Sequence, residues 1–576
     1  MKKFLVLFLT ITLAFSLAAC GGSGKEGAVN SANVGPDKAL EGEIKGEITV
    51  SAFETMTQLA FLEEAARLFE EKYPGTKVNI ETFSAMPEIS TAAQGNMRMQ
   101  RVEMQDDPTA RADYVSKVNT ALMSGTGADI LAADVLPLYK FADSGQLLDI
   151  NALIAADDDF DRSAYRGNIL DALTYKGGLW YIPLDYSFEY YTYDSTLVNT
   201  RVARFGTGSA YNSQDLIDIA APIFDGNSQI FNMSSYIRGG GGGGMGMISG
   251  LFARMLREQY SSLVDIEKRE AHFTDGGFAQ LLNSLKEYEQ LGYVSEGLSA
   301  QSDAGRMLTG AGGPPEPTER FYFKPKSNMT LQQHFNRNSG RRMSVMMYAV
   351  GSAIGIEDDD EIAGAQADAK GQVPFTFQYG YALNSASKNQ ALAWAFLKFL
   401  LSEEMQLSPA MSSMFLPLHN EARVQKAELQ MSGAFMGLGG RMGVNQPGGG
   451  QLYGGQPGGD QPGSGQPGGE QPGSGQPGGG QPGEGQPGGG QPGGEQPGGN
   501  QPGFEPQALD EQQLQVLELY REAVEQLSDL ISTYTIRDIV IDDMINSEAQ
   551  YFFDGVKSAE EVASTLQSKV ELYLSE

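Results

Sequence analysis

The folded part of this chain opens with two strand-like runs separated by a helix-like one, and that order restricts what the chain can become. Ile48-Thr49-Val50-Ser51-Ala52-Phe53 has the β-branched and aromatic composition of a buried strand. Residues 58–72 then place Leu59, Leu62, Ala66 and Phe69 on one helical face, and Pro74-Gly75 stops the helix. Lys77-Val78-Asn79-Ile80-Glu81-Thr82-Phe83 alternates apolar and polar side chains as a second strand. Strands joined through a helix pair in parallel, so this β-α-β unit predicts an α/β lobe built on a parallel sheet. A second unit follows: a helix over 113–123, a break at Gly125-Thr126-Gly127, a strand over 129–133 and a helix over 136–145 with a glycine stop. In such sheets ligands bind beyond the carboxyl ends of the strands, which nominates Glu54 after the first strand and Asp134 after the third.

Ahead of these units, Lys2-Lys3 precedes an apolar run from Phe4 to Leu17 that is too short and wrongly flanked for a transmembrane helix. Small residues then lead into Cys20, the only cysteine in 576 residues. The pattern resembles a bacterial lipobox, with residues 1–19 as a cleaved export signal and Cys20 as a lipid-modified new amino terminus. Residues 20–46 are rich in Gly, Ser, Ala and Lys and read as a flexible tether. No further thiol exists for a disulfide, a zinc site or a cysteine nucleophile. Past the signal no run of eighteen apolar residues occurs, so the lipid anchor is the one membrane contact expected.

A formal charge of -31, from 41 basic and 72 acidic residues, excludes a nucleic-acid binder, because no basic stripe is present to neutralise phosphates. Residues 443–507 form a low-complexity insert whose Gln-Pro-Gly tract repeats every five residues over 446–503, a period that excludes the three-residue collagen pattern. The insert has almost no apolar side chains, and it is expected to be a disordered surface loop. Closure entropy tolerates such length, at about 0.6 kcal/mol per doubling. Residues 239–244, all glycine, read as another flexible loop. Helices are expected over 509–533 and 549–574, with Ser558 capping the last and Glu561 completing the cap.

Several segments, taken in order, resemble the family 1 extracellular solute-binding proteins, the sugar-binding lipoproteins of ABC importers. Phe61-Leu62-Glu63-Glu64-Ala65-Ala66-Arg67-Leu68-Phe69-Glu70-Glu71-Lys72-Tyr73-Pro74-Gly75 looks like that family's first helix and turn, and Asp129-Ile130-Leu131 like its following strand. Lys176-Gly177-Gly178-Leu179-Trp180-Tyr181-Ile182-Pro183 resembles its crossing segment, and Tyr193-Asp194 stands where the family has tyrosine-asparagine. Tyr381-Ala382-Leu383-Asn384-Ser385-Ala386-Ser387-Lys388-Asn389 with residues 391–404 resembles its late strand and helix, and Tyr551-Phe552-Phe553-Asp554-Gly555 its closing helices. The resemblance implies a periplasmic-binding-protein-like fold: two α/β lobes joined by multiple crossing strands, with a ligand cleft between them. The first lobe would comprise 47–185 and 379–418, and the second 186–378 and 419–576, interrupted by the insert. Crossings are placed near 180–193, 378–383 and 416–418. It implies a monomer on the outer face of the cell membrane that captures a sugar or oligosaccharide and delivers it to ABC permease subunits, with no catalysis and no cofactor.

The densest aromatic stretch runs from Trp180 to Tyr193. Sugars offer flat C–H patches beside hydroxyls, so their sites call for aromatic faces with carboxylates near them. Trp180, Tyr186, Phe188, Glu189 and Tyr190 are the candidates here, and simple alternation would turn Tyr186, Phe188 and Tyr190 away from Ser187, Glu189 and Tyr191. The resemblance adds Tyr348, on the strand-like Met343-Ser344-Val345-Met346-Met347-Tyr348, and Tyr379 at the return crossing. Trp394 reads as core. The adjacent Tyr190-Tyr191 keeps open an alternative on the same fold, ferric iron held by phenolates. A surface glycosidase and an adhesion lipoprotein built around the repeat are the alternatives outside it.

Other motifs carry little. Asp157, Asp159 and Asp161 open like an EF-hand, but Arg162 and Asn168 break the pattern, so a solvated acidic turn is expected. Residues 357–361 read as a charged loop. His272, His334 and His419 stand far apart, which leaves no metal cluster or histidine-based catalytic set in view.

Overall fold

The computed structural model describes residues 40, 42–53, 56–83, 89–94, 97–102, 108–133, 135–198, 203–231, 247–294, 320–328, 331, 334–335, 360–408, 410–411, 415–432 and 508–575. Glu54, Asp134, Tyr348, Cys20 and the signal, the tether apart from residues 40 and 42–46, the glycine run and the Gln-Pro-Gly insert lie outside them, and Gly46, the last residue assigned to the tether, already opens the first strand.

The chain first builds β1 (Gly46–Phe53), α1 (Met56–Lys72) and β2 (Thr76–Phe83), then α2 (Pro108–Met123), β3 (Ile130–Ala132) and α3 (Leu138–Asp143). β1 lies parallel to both β2 and β3. Its inward side chains Ile48, Val50 and Ala52 are buried, as are Phe61, Leu62, Ala65 and Phe69 of α1. A short strand, β4 (Ile182–Pro183), ends this part of the chain, which then leaves through β5 (Asp185–Tyr186).

The second sheet is centred on β6 (Glu189–Asp194) and adds β7 (Ala210–Tyr211), β8 (Gln229–Phe231), β9 (Phe321–Ser327) and β10 (Asp360–Gln366), in the order β8-β9-β6-β10-β7. β6 runs antiparallel to both of its neighbours. Helices α4 (Met247–Leu263) and α5 (Gly277–Gln290) pack beside it. At Gly364 the backbone of β10 passes so close to β7 that a Cβ would stand 2.5 Å from the Ser209 carbonyl oxygen, so the position admits glycine alone.

From there the chain returns through β11 (Val373–Pro374) to β12 (Gly380–Leu383), which inserts antiparallel between β3 and β4 and completes a first sheet ordered β2-β1-β3-β12-β4. Helix α6 (Gln390–Leu400) covers this sheet, β13 (Leu416–Pro417) pairs with β5, and α7 (Asn420–Met431) follows. After the insert come α8 (Glu511–Asp529), β14 (Ile531–Thr533) beside β11, α9 (Ile539–Phe553) and α10 (Ala559–Ser575). The last two helices belong with the second sheet: Phe552 lies 3.8 Å under the Lys286 ammonium of α5, and Phe553 meets Phe252 of α4. Helix α8 instead ties to the first lobe through ion pairs of Arg166 with Glu525 and Asp529.

Two sheets with helices on their flanks, joined by several crossing segments, make the two-lobed α/β architecture that the resemblance implied. The crossings lie side by side. Leu184 N–H donates to Tyr379 O at 2.8 Å, Leu418 N–H to Leu184 O at 2.9 Å, and Ser187 and Thr376 exchange bonds of 2.7 and 2.9 Å. Buried Asp185 accepts N–H groups from Gln378 and Tyr379 at 2.8 and 3.1 Å, and Lys426 of α7 donates to Phe415 O at 3.0 Å. Burial lowers the Lys426 pKa to about 8, although the Asp185 carboxylate pulls the other way.

Three expectations change. The helix over 509–533 stops at Asp529, because Ile531–Thr533 forms a strand and Asn168 takes the carbonyls of Ser528 and Ile531. Asp360 and Glu361 begin β10 instead of a loop, with buried Asp360 held by buried Lys324 at 2.8 Å. Asp157 is not solvated: it accepts from Trp394 Nε1 at 2.6 Å and Lys398 Nζ at 2.5 Å, anchoring α6. The Ser558–Glu561 cap forms in both directions, at 2.8 and 3.2 Å. Among the described residues no helix is long and apolar enough to cross a membrane.

Candidate functional site

Between the two sheets lies a cavity of about 800 Å³, within the size range of small-molecule sites. The first lobe contributes one end of α2, the residues that flank β3's carboxyl end (Ala133 and Val135), Tyr139, Tyr175, Trp180 and Tyr181. The crossings contribute Ser187, Phe188, Glu189 and residues 374–377, and the second lobe Arg257, Glu258, Gln366 and the stretch from Tyr534 into α9.

One wall is aromatic. Phe377 stacks on Tyr534 with ring centroids 5.6 Å apart, Tyr181 lies 5.7 Å from Phe377, and Phe375 lies 5.2 Å from Tyr534. Burial, followed by the neighbouring Tyr534, holds the Tyr181 phenol well above its ordinary pKa and therefore neutral. The Trp180 indole lies against Gly178, where a Cβ would come within 2.6 Å of the ring, and its Nε1 donates to Tyr175 O at 2.9 Å. Glycine at 178 is what lets the indole settle there.

Another part of the wall is polar and preorganised. Glu189 receives Arg254 at 3.3 Å and Arg257 at 3.4 Å. Arg254, fully buried, also donates to Gln366 Oε1 at 3.2 Å. Glu258 accepts from Gln366 Nε2 at 2.7 Å, from Tyr191 Oη at 2.9 Å and from the Ser213 backbone at 3.0 Å. Burial raises the Glu258 pKa while the Ser213 amide and Arg254 oppose it. On α9, burial likewise raises Asp542, against the Arg537 guanidinium at 2.9 Å. Charges at this wall are matched by charges of the protein, so the surface presents oriented donors and acceptors rather than a strong field of one sign.

Among the sequence-derived candidates, Trp180, Phe188 and Glu189 are brought together in the cavity wall. Tyr186, Tyr190 and Tyr379 are buried and lie outside it: Tyr186 Oη meets Ser528 Oγ at 3.1 Å, and the Tyr379 ring packs on Phe61. The expected alternation fails because residues 187–188 lie between two strands, so Ser187, Phe188 and Glu189 all reach the cavity. Glu54, Asp134 and Tyr348 are among the residues not described, although Ala133 and Val135, on either side of Asp134, line the cavity. Tyr190 and Tyr191 are neighbours on β6 and project from opposite faces, and the Tyr191 hydroxyl is already engaged by Glu258 and Ser213. That pair cannot close on a single ferric ion. Sequence reading missed Phe375, Phe377, Tyr534 and Arg257. The alternating Phe375-Thr376-Phe377 beside the return crossing was the available signal, whereas Tyr534 was hidden behind a helix expected to run through Thr533.

No protein-family model and no curated protein matches this chain. Solved structures do. The chain is similar in structure to extracellular solute-binding proteins. One, an extracellular solute-binding protein family 1 from Alicyclobacillus acidocaldarius, is 13% identical with a TM-score of 0.48, over 93% of this chain and 100% of that one. An ABC substrate-binding protein from Listeria monocytogenes in complex with cycloalternan is 14% identical with a TM-score of 0.43, over 92% and 99%. A maltose/maltodextrin-binding domain from Bdellovibrio bacteriovorus bound to maltotriose is 13% identical with a TM-score of 0.42, over 92% and 100%. A de novo designed esterase reaches 0.46 at 11% identity. Likeness at this level decides neither ligand nor catalysis, and the architecture rests on the strand orders given above.

Proposed function

We propose that this chain is a lipid-anchored extracellular solute-binding protein that captures a sugar or oligosaccharide between its lobes and delivers it to an ABC import permease. The observation that carries the reading is the cavity itself: the aromatic rings of Trp180, Tyr181, Phe377 and Tyr534 line it together with fixed hydrogen-bonding groups around Glu189, Arg257 and Gln366. The aromatic faces suit the C–H side of a pyranose, and the polar wall suits its hydroxyls. Side-by-side crossings support closure by a hinge, which turns ligand contacts into a shape a permease can read. In this reading Trp180, Phe188 and Glu189 touch the solute, and Glu54, Asp134 and Tyr348 are further candidate contacts. Tyr186, Tyr190 and Tyr379 set the shape of the site from behind. Lobe limits at 185/186 and 378/379 would fall in the crossings, and Cys20 would hold the body at the membrane.

Thermal-shift screening against mono-, di- and oligosaccharides, peptides and ferric iron tests the reading. A ligand at about 100 times its dissociation constant stabilises the protein by about 2.7 kcal/mol, a visible shift. A response confined to sugars supports it; a response to peptides or iron with silence across sugars overturns the substrate. Incorporation of labelled palmitate into the wild type and its loss in Cys20→Ser tests the anchor separately.

A further inference from the structure

The lobes also meet away from the crossings, and the short helix α3 makes that contact. Tyr139 Oη donates to Asp538 Oδ2 at 2.6 Å, and Tyr573 of α10 donates to the same oxygen at 2.9 Å. The Lys140 ammonium stands 3.9 Å from the centre of the Tyr573 ring. Asp143 at the end of α3 binds Arg269 at 3.1 Å, and Arg269 belongs to the hairpin of Val264–Asp265 and Glu270–Ala271 that follows α4. Asp538, Tyr573 and Arg269 all sit on second-lobe elements, so one face of a first-lobe helix is fastened to three of them. Each contact is direct, between protein groups, and lies apart from the crossings at 184–188, 374–379 and 416–418, with Asp538 capping α9 where the chain arrives from α8.

Backbone conformation marks the same place. Among the described residues the non-glycine positions with positive φ are Lys176, at 48°, and Arg269, at 60°. Both send their cations to one carboxylate, with Lys176 Nζ at 2.7 Å from Asp143. Left-handed backbone at a long side chain is unfavourable and persists where the surroundings impose it, typically at clamps and switches. The two cations differ in one respect that allows a test: Lys176 and Asp143 share a lobe, whereas Arg269 reaches Asp143 across the cleft.

We propose that α3 carries an interlobe clasp, in which Tyr139 and Asp143 fasten onto Asp538 and Arg269 and bias the cleft toward closure without any contribution from a bound solute. The clasp sets the starting point of the open-to-closed equilibrium, and a captured solute adds to it. Its existence does not depend on which solute is bound.

The test is a distance measurement on the full chain in detergent, with Cys20→Ser and spin labels at Thr120→Cys on α2 and Gln280→Cys on α5, both exposed. In this parent a short interlobe distance should dominate with no ligand added. Arg269→Gly removes the cross-lobe cation while accommodating φ of 60°, so it should stay folded and raise the long-distance fraction several-fold. Lys176→Gly makes the matching change inside one lobe and should leave the distribution as it was. Tyr139→Phe, which loses only the hydroxyl on Asp538, should shift it in the same direction as Arg269→Gly. Arg269→Gly and Tyr139→Phe distributions that both match the parent would overturn the clasp, as would a Lys176→Gly distribution shifted as far as that of Arg269→Gly.

Discussion

Lys426 lies wholly inside the joint between the lobes, and replacing it gives a pH-dependent prediction whose sign changes. Its ammonium rests on the Phe415 carbonyl at 3.0 Å, and burial lowers its pKa from the ordinary 10.5 to about 8. The unfolded chain keeps this proton until about pH 10.5, whereas the fold releases it near pH 8, so between those values the unfolded state binds more protons and stability rises with pH. Below about pH 8 the fold carries the whole burden of the buried charge, about 3 kcal/mol at about 1.4 kcal/mol per pH unit. Lys426→Met keeps the volume and discards the charge, but forgoes the hydrogen bond to the Phe415 carbonyl, a loss of about 1 kcal/mol. The variant should therefore be more stable than the wild type by about 2 kcal/mol near pH 7 and less stable by about 1 kcal/mol above about pH 10.5. Urea unfolding of both proteins across this range, compared at equal m, measures the difference. Other lysines and the tyrosines titrate in both proteins and cancel. A difference that stays constant with pH refutes the buried-charge account of the joint.

Gly364→Ala should destabilise the second lobe by about 1–3 kcal/mol, read as a lowered urea midpoint, since the new methyl group meets the Ser209 carbonyl oxygen at 2.5 Å. Burial lowers the pKa of His419, whose neutral Nδ1 caps α7 by accepting the Ala422 N–H at 3.4 Å. The unfolded chain therefore takes up this proton first as the pH falls through 6.5, and stability contributed by the group is lost on acidification. His419→Asn, a cap that does not titrate, should show a smaller fall in melting temperature over the same range. Phe377→Ala should weaken sugar binding about ten-fold in calorimetric titration by removing one face of the aromatic wall.

Much of the first lobe was legible because its signals are local. Strand composition at Ile48–Phe53, the apolar face of residues 58–72 and the Pro74-Gly75 stop each act within one element, and the β-α-β unit forms as they indicate. The crossings were legible in outline for the same reason. The second half of the cavity was not. Tyr534, Arg537 and Asp538 come from the far end of the chain and reach the site only because β14 pairs with β11, a contact that no window of sequence contains. Alternation misled between Tyr186 and Tyr191 because it assumes one continuous strand, whereas the chain changes sheets at residues 187–188. Charge runs misled for a related reason: Asp157 and Asp360 look solvated in sequence, and each is claimed by a distant lysine, Lys398 and Lys324.

The central claim, that a sugar is held against the aromatic wall, can be tested with the protein's own fluorophores. The sequence has two tryptophans: Trp180 in the cavity wall, and Trp394, 2% exposed in the core of the first lobe. Titration with mono-, di- and oligosaccharides should produce a saturable change in emission that survives Trp394→Phe and disappears in Trp180→Phe. A saturable change that persists in Trp180→Phe would place the sugar elsewhere, and no change with any sugar would contradict the account.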